Sequence, residues 1–161
     1  MIRKRTFFLA IILSLLFATT IQAKQGDRFR LLTNGKVKDS KTGLEWKAGP
    51  GRDMTWNLAR AWVKSLKRDD VGWRMPSIDE LKGLFEEGMG SHNLSPLLLN
   101  TTLDRLSVWS GKTEGDSKAR LFIFKSELFG FITFMNGKSI REYKSKSSGN
   151  RAFAVRSRGD G

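Results

Sequence analysis

Beyond its first two dozen residues, the chain alternates apolar and polar positions in short blocks, and the period of that alternation changes along it. Residues 29–32 and 37–39 read as paired strands around Thr33-Asn34-Gly35-Lys36, because an Asn-Gly pair readily takes the positive φ angles of a tight hairpin. Residues 44–46 form another short strand after Lys41-Thr42-Gly43. The period then lengthens. Trp56, Ala59, Val63 and Leu66 recur at helical spacing on one face, with Arg60, Lys64 and Lys67 elsewhere, and Asp53-Met54-Thr55 supplies N-cap candidates. A second helix is predicted from Ser77 to about Glu86. Ser77 and Glu80 make a capping box, Pro76 keeps the preceding segment out of the helix, and Asp79 and Glu80 lie where the helix dipole favours carboxylates. Residues 88–104 are too irregular for an element and read as an ordered connector. Strand texture, rich in Phe, Ile and Val, returns at 106–110, 121–125, 129–135, 139–143 and 152–156, with Asn136-Gly137 as a hairpin signal between the third and fourth of these.

The N-terminal residues have a different texture. Arg3, Lys4 and Arg5 precede an uncharged apolar run at 7–18, and Ile21-Gln22-Ala23 offers a small-residue cleavage site, the layout of a secretory signal. An anchor needs roughly 20 apolar residues, and Thr19, Thr20 and Gln22 interrupt this run early. Cleavage after Ala23 gives the expected organisation: a signal peptide over 1–23, one domain over 24–158 and a short tail over 159–161. The expected location is periplasmic or extracellular, with no transmembrane span once the signal is removed. The chain has no cysteine, which excludes a lipid-attachment box, disulfides and thiolate chemistry, although the compartment would permit disulfides.

Charge sharpens the picture. The formal net charge is +13, and about +10 remains without Arg3, Lys4 and Arg5, far enough from neutral to influence which partners approach. From Lys24 to Asp116 acids nearly balance bases, whereas residues 117–158 hold ten bases against Glu127 and Glu142 alone. This segment reads as a basic half-domain carried on strands and turns.

Enzymatic chemistry finds little support. His92 is the only histidine, in Gly90-Ser91-His92-Asn93, with no nucleophile or base pattern around it, and one histidine cannot make a multi-histidine metal site. The paired acids Asp79-Glu80 and Glu86-Glu87 point in different directions on a helix. No P-loop or dinucleotide fingerprint occurs. A non-enzyme is expected, with no catalytic residue, cofactor or metal.

The ordered strings Thr42-Gly43-Leu44-Glu45-Trp46, Trp73-Arg74-Met75-Pro76-Ser77 leading into Glu80-Leu81, Val108-Trp109-Ser110, the Asn136-Gly137 turn and the closing Val155-Arg156 resemble the Lcl C-terminal domain family, over nearly the whole mature chain. That family takes its name from the carboxy-terminal module of a bacterial collagen-like adhesin. The resemblance implies an α+β fold, a C-type lectin-like variant in which two helices pack on a twisted antiparallel sheet. In the adhesin it implies a trimer that binds sulfated glycosaminoglycans through a basic surface. This chain has no collagen-like repeat, so its oligomeric state is left open. Many members carry a cysteine pair at positions matching Val63 and Ala154, where apolar packing is expected to replace the cross-link.

Two functions from different classes follow. The first is an exported module that binds an anionic ligand, an acidic or sulfated glycan or an envelope polymer, through a basic sheet surface. Its candidate residues are Lys125, Lys138, Arg141, Lys144, Lys146 and Arg151, with Arg120 at the margin and Trp109, flanked by Ser110-Gly111, as the tryptophan best placed to stack on a sugar. Arg74 and Arg156 are equally suited to pairing with carboxylates inside the domain. The alternative is a structural or protein-interaction component of the cell envelope, with charge serving solubility or a protein partner. Export makes nucleic acid an improbable physiological ligand for the basic face.

Overall fold

A computed structural model describes residues 28–66, 71–99, 105–126 and 135–157. The signal peptide, the start and end of the predicted domain and most of the predicted strand at 129–135 lie outside the described residues. The first hairpin forms as its turn chemistry dictates: β1 (Phe29–Leu31) pairs antiparallel with β2 (Lys36–Asp39), and Asn34 and Gly35 both take positive φ, 62° and 69°. β3 (Glu45–Ala48) pairs with β2 on its other side, and the last strand of the chain, β8 (Phe153–Arg156), pairs antiparallel with β3. The first and last strands therefore share one sheet, in the order β1-β2-β3-β8.

The second sheet has the order β6-β5-β4-β7, from β4 (Leu106–Glu114), β5 (Lys118–Lys125), β6 (Lys138–Tyr143) and β7 (Asn150–Arg151). The sequence pattern implies one antiparallel sheet. Among the described residues there are two, and the second is mixed, because the unanticipated two-residue β7 runs parallel to β4. β4 also extends four residues further than its apolar pattern indicates, with a register irregularity between Trp109 and Thr113. The Asn136-Gly137 turn, with Gly137 at φ 72°, feeds β6 onto β5, and Asn136 Oδ1 accepts from the Ser126 N–H at 2.8 Å.

Helix α1 (Trp56–Leu66) buries Trp56, Ala59 and Val63, the stripe its spacing predicts, and Thr55 Oγ1 accepts from the Leu58 N–H at 3.3 Å to cap it. Helix α2 (Ile78–Leu84) carries the full capping box: Ser77 Oγ accepts from the Glu80 N–H at 3.1 Å, while Glu80 Oε2 accepts from the Ser77 N–H at 2.8 Å. It stops two residues short of the sequence expectation. Arg28 donates to the Gly83 carbonyl at 2.6 Å and pairs with the Glu86 carboxylate, which draws the chain out of the helix and satisfies a terminal carbonyl. The connector after α2 is ordered over 88–99 by two 3₁₀ turns, and its Leu94 and Leu98 are fully buried.

Burial explains why β4 and β5 read as continuous apolar runs. One face of the second sheet packs Leu106, Val108, Phe122 and Phe124 against Val37, Trp46, Phe153 and Val155 of the first sheet, with Leu81 and Leu84 of α2 closing the cluster. The opposite face packs Trp109, Leu121 and Ile123 against Met54, Trp56 and Ala59 at the start of α1. A strand covered on both faces loses its period-two alternation. A smaller cluster joins Val63, Trp73 and Ala154, so the two positions that resemblance assigns to a cysteine pair do meet through apolar packing.

Asp39 is almost wholly buried, and its carboxylate is fully engaged. Arg28 donates from Nε and Nη2 at 2.9 Å each, Thr42 Oγ1 at 3.0 Å and the Lys41 N–H at 3.0 Å. Burial pushes the Asp39 carboxyl up, but these donors together with the guanidinium charge outweigh it and hold the group below its ordinary range. Glu80 is likewise lowered, chiefly by its two hydrogen bonds from Arg74.

Both depressed carboxyls favour the folded state above the unfolded carboxyl pKa of about 4 and lose that contribution as pH falls through their lower folded values. Thermal melts should therefore be flat between about pH 5 and 7 and decline in stronger acid. Asp39→Asn should destabilise by about 2 kcal/mol at neutral pH, since it removes the more buried of the two carboxylates that Arg28 pairs with and leaves only Glu86, and should flatten the acid limb of the profile. Introducing Val63→Cys with Ala154→Cys should produce an oxidisable cross-link that adds about 3 kcal/mol in denaturant titrations and vanishes with reductant.

Candidate functional site

The cations of the closing third do not gather on one surface. Residues directly opposite in a sheet share a face, and neighbours along a strand point to opposite faces. Arg141 stands opposite Arg120, whereas Lys138 stands opposite Ile123 and shares its face with Lys125, so the four divide between the two sides of the sheet. Arg120 and Arg141 are also partly neutralised: Glu114 bridges them, with Oε1 3.1 Å from Arg120 Nη1 and Oε2 3.1 Å from Arg141 Nε. Lys146 lies exposed on the turn beyond β6.

Two candidates are buried. Arg151 is 3% exposed, in β7 between core residues, and its guanidinium is paired with Asp53, so it holds the chain rather than a ligand. Trp109 is 0% exposed, and its Nε1 donates to the Met54 carbonyl at 2.8 Å. Its Ser110-Gly111 neighbours mark a mid-strand irregularity, not a strand end, and no sugar can reach the ring. Arg74 and Arg156 are internal partners, as their place in the fold-defining strings suggests. Arg74 forks onto Glu80 at 2.6 and 2.9 Å, and Arg156 onto Glu45 at 2.7 and 2.9 Å with its guanidinium 4.8 Å from the Trp73 centroid.

Lys144 is different. Its ammonium donates to the carbonyls of Gly115 and Asp116 at 3.2 and 2.8 Å and lies 5.0 Å from the Trp56 ring centroid. This puts it on the wall of an open cleft of about 1030 Å³ between α1, the β4–β5 turn and the end of β6. On the helix side, Trp56, Arg60 and Lys64 follow one another at i, i+4 and i+8 and so line the same wall. The Arg60 guanidinium lies 5.3 Å from the Trp56 ring. The lining also includes Tyr143, 51% exposed, with the Lys118 ammonium 4.6 Å from its ring. Arg60 and Lys64 are exposed and make no ion pair among the described residues. Asp116 is an acidic member of the lining, and its carbonyl is taken by Lys144.

The wall is held by buried hydrogen bonds. Trp56 Nε1 donates to the Ser110 carbonyl at 3.0 Å, and the Trp56 N–H donates to the Lys144 carbonyl at 3.0 Å. With the Trp109–Met54 bond they tie the first turn of α1 to β4 and to the chain leaving β6. Cations and aromatic rings thus converge in a cleft whose geometry does not depend on a ligand.

Comparison with protein families places a match to the Lcl C-terminal domain over residues 35–156. The chain belongs to that family. The matched span runs from the first hairpin turn to Arg156 and takes in the second sheet, the first sheet apart from β1, both helices and every residue of the cleft. Comparisons with curated proteins and with solved structures find no match.

The cleft of this Lcl C-terminal domain draws Arg60, Lys64 and Arg74 from the half of the chain whose charges nearly balance, so a count of charge along the sequence points away from them. The signal that identifies Arg60 and Lys64 is their helical spacing from Trp56, which forms a stripe beside the core stripe. Trp109→Phe should cost about 2 kcal/mol in urea unfolding, because the buried Met54 carbonyl loses its donor, while a ligand-stacking role would leave stability unchanged.

Proposed function

We propose that this Lcl C-terminal domain is an exported, non-enzymatic module that binds an anionic glycan or envelope polymer in the cleft between α1 and the β4–β5 turn. The observation that carries this reading is the convergence of Arg60, Lys64 and Lys144 around Trp56 in a cleft that the exposed Tyr143 also lines. A guanidinium offers paired donors to sulfate, phosphate or carboxylate, and a half-exposed aromatic ring offers an apolar plane to the C–H face of a sugar. Family membership supports an adhesin-type role, and the N-terminal Arg3-Lys4-Arg5 and apolar run support export. Two helices, with the first and last strands in one sheet, agree with a variant of the C-type lectin-like fold.

Retention on heparin and on lipopolysaccharide columns tests the site. Replacing Arg60 and Lys64 together by Ser should weaken binding about tenfold, in line with the loss of two charge-assisted contacts, and lower the salt needed for elution. Replacing Lys138 and Arg141 by Ser should change retention by less than about twofold, since exposed charges away from the contact act weakly. Equal retention of all variants with intact folding would overturn the anionic-ligand reading and favour a protein-interaction component of the envelope.

A further inference from the structure

The β4–β5 turn brings one acid into a cleft that is otherwise basic. Asp116 is exposed and lines the hollow together with Arg60, Lys64 and Lys144. Opposite charges that share a cleft attract, yet among the described residues the Asp116 side chain makes neither an ion pair nor a hydrogen bond. The reason lies in how the turn is held. Lys144 engages three successive carbonyls of it: the ammonium donates to Gly115 at 3.2 Å and to Asp116 at 2.8 Å, and the backbone N–H donates to Ser117 at 2.8 Å. An ammonium has three donors, and two of these are taken by main-chain oxygens while the charge lies 5.0 Å from the Trp56 centroid. Lys144 thus fixes where Asp116 stands and leaves its carboxylate unclaimed.

This arrangement limits what the cleft accepts. An ionised carboxylate is an acceptor only, and covering it without supplying a donor costs the hydration it gives up. A ligand that offers nothing but anionic groups finds Arg60 and Lys64 but meets repulsion at Asp116. A ligand that carries an ammonium beside its anion satisfies both walls: the anion takes the paired donors of the guanidinium, and the ammonium takes the carboxylate. Selectivity of this kind rests on a repulsive element against the wrong partner as much as on attraction to the right one. The hydroxyls of Thr113 and Ser145 in the same lining suit the hydroxyl groups of a sugar.

Resting on the function proposed above, we infer that Asp116 is a specificity-determining residue, and that the cleft prefers a dipolar sugar unit, one with a free ammonium as well as an anionic group, over a sugar that carries the anion alone. Arg60 and Lys64 on α1 hold the anion, and Asp116 on the β4–β5 turn holds the ammonium. Lys144 keeps the two walls in register, because it binds the turn and its carbonyl accepts from the Trp56 N–H at 3.0 Å.

The test uses muramic acid and N-acetylmuramic acid as probes, which present the same carboxylate and differ in whether the nitrogen bears a charge. Each is titrated into the protein in slightly acidic buffer, where the amine is protonated, with backbone amide shifts in NMR spectra reporting occupancy and thermal melts verifying folding. Wild type should bind muramic acid about fivefold more tightly than its acetylated form, the range of one exposed ion pair. Asp116→Asn keeps the shape of the side chain and removes its charge, so it should bring the two probes within about twofold of each other, and it should raise retention on heparin rather than lower it. Arg60→Ser with Lys64→Ser should weaken both probes and heparin alike. If the Arg60/Lys64 variant weakens both probes while wild type does not distinguish them, or while Asp116→Asn keeps the preference, the selectivity is overturned and the binding function stands. If neither probe shifts the amides of the cleft, the selectivity is likewise overturned, and heparin retention of the Arg60/Lys64 variant alone decides the binding function. If that variant matches wild type on both probes and on heparin, the binding function itself falls, and the selectivity with it.

Discussion

The site of this Lcl C-terminal domain depends on a reciprocal pair of indole hydrogen bonds. Trp56, at the start of α1, donates to the Ser110 carbonyl of β4, and Trp109 of β4 donates to the Met54 carbonyl just ahead of α1. Each ring is buried in the cluster the other helps to form, so polar pairing and apolar packing fix the same interface. A chain without cysteine has no covalent means of holding a helix to a sheet, and here two tryptophans provide a directional one. Because Trp56 is both a pin and part of the cleft wall, the positions of Arg60 and Lys64, one and two turns further on, follow from that single anchoring.

Opposite this interface the domain is held by charge. Arg28 reaches the turn carboxylate of Asp39, the end of α2 through Gly83, and Glu86, and so joins the first hairpin to the second helix. Arg156 and Arg74 make comparable bonds to Glu45 and Glu80. A considerable part of the chain's arginine is thus used in holding elements together, and total positive charge overstates what is available to a ligand.

Local chemistry made much of the fold legible in the sequence. Asn34-Gly35, the Ser77–Glu80 capping box and the stripe from Trp56 to Val63 are each decided by residues a few positions apart, and they appear as expected. β7 was not legible, since two residues, Asn150 and Arg151, acquire strand character only through pairing with Ser107 and Val108. The extension of β4 past Gly111 is of the same kind, depending on the backbone of residues 75 and 76 alongside. The site was the least legible part. A basic run in sequence has no fixed side in space: strand alternation sends Lys138 and Arg141 to opposite faces, a parallel pairing buries Arg151, and the cleft is assembled from α1 and two turns distant in sequence.

Among the described residues β6 is the outermost strand of its sheet, with one row of backbone donors and acceptors unclaimed by a neighbouring strand. Lys138 and Arg141, set on alternate sides of that strand, make the border repellent to any other strand that approaches, including the same border on a second molecule. Such a border disfavours edge-to-edge pairing, the contact through which the sheets of separate molecules would otherwise begin to join.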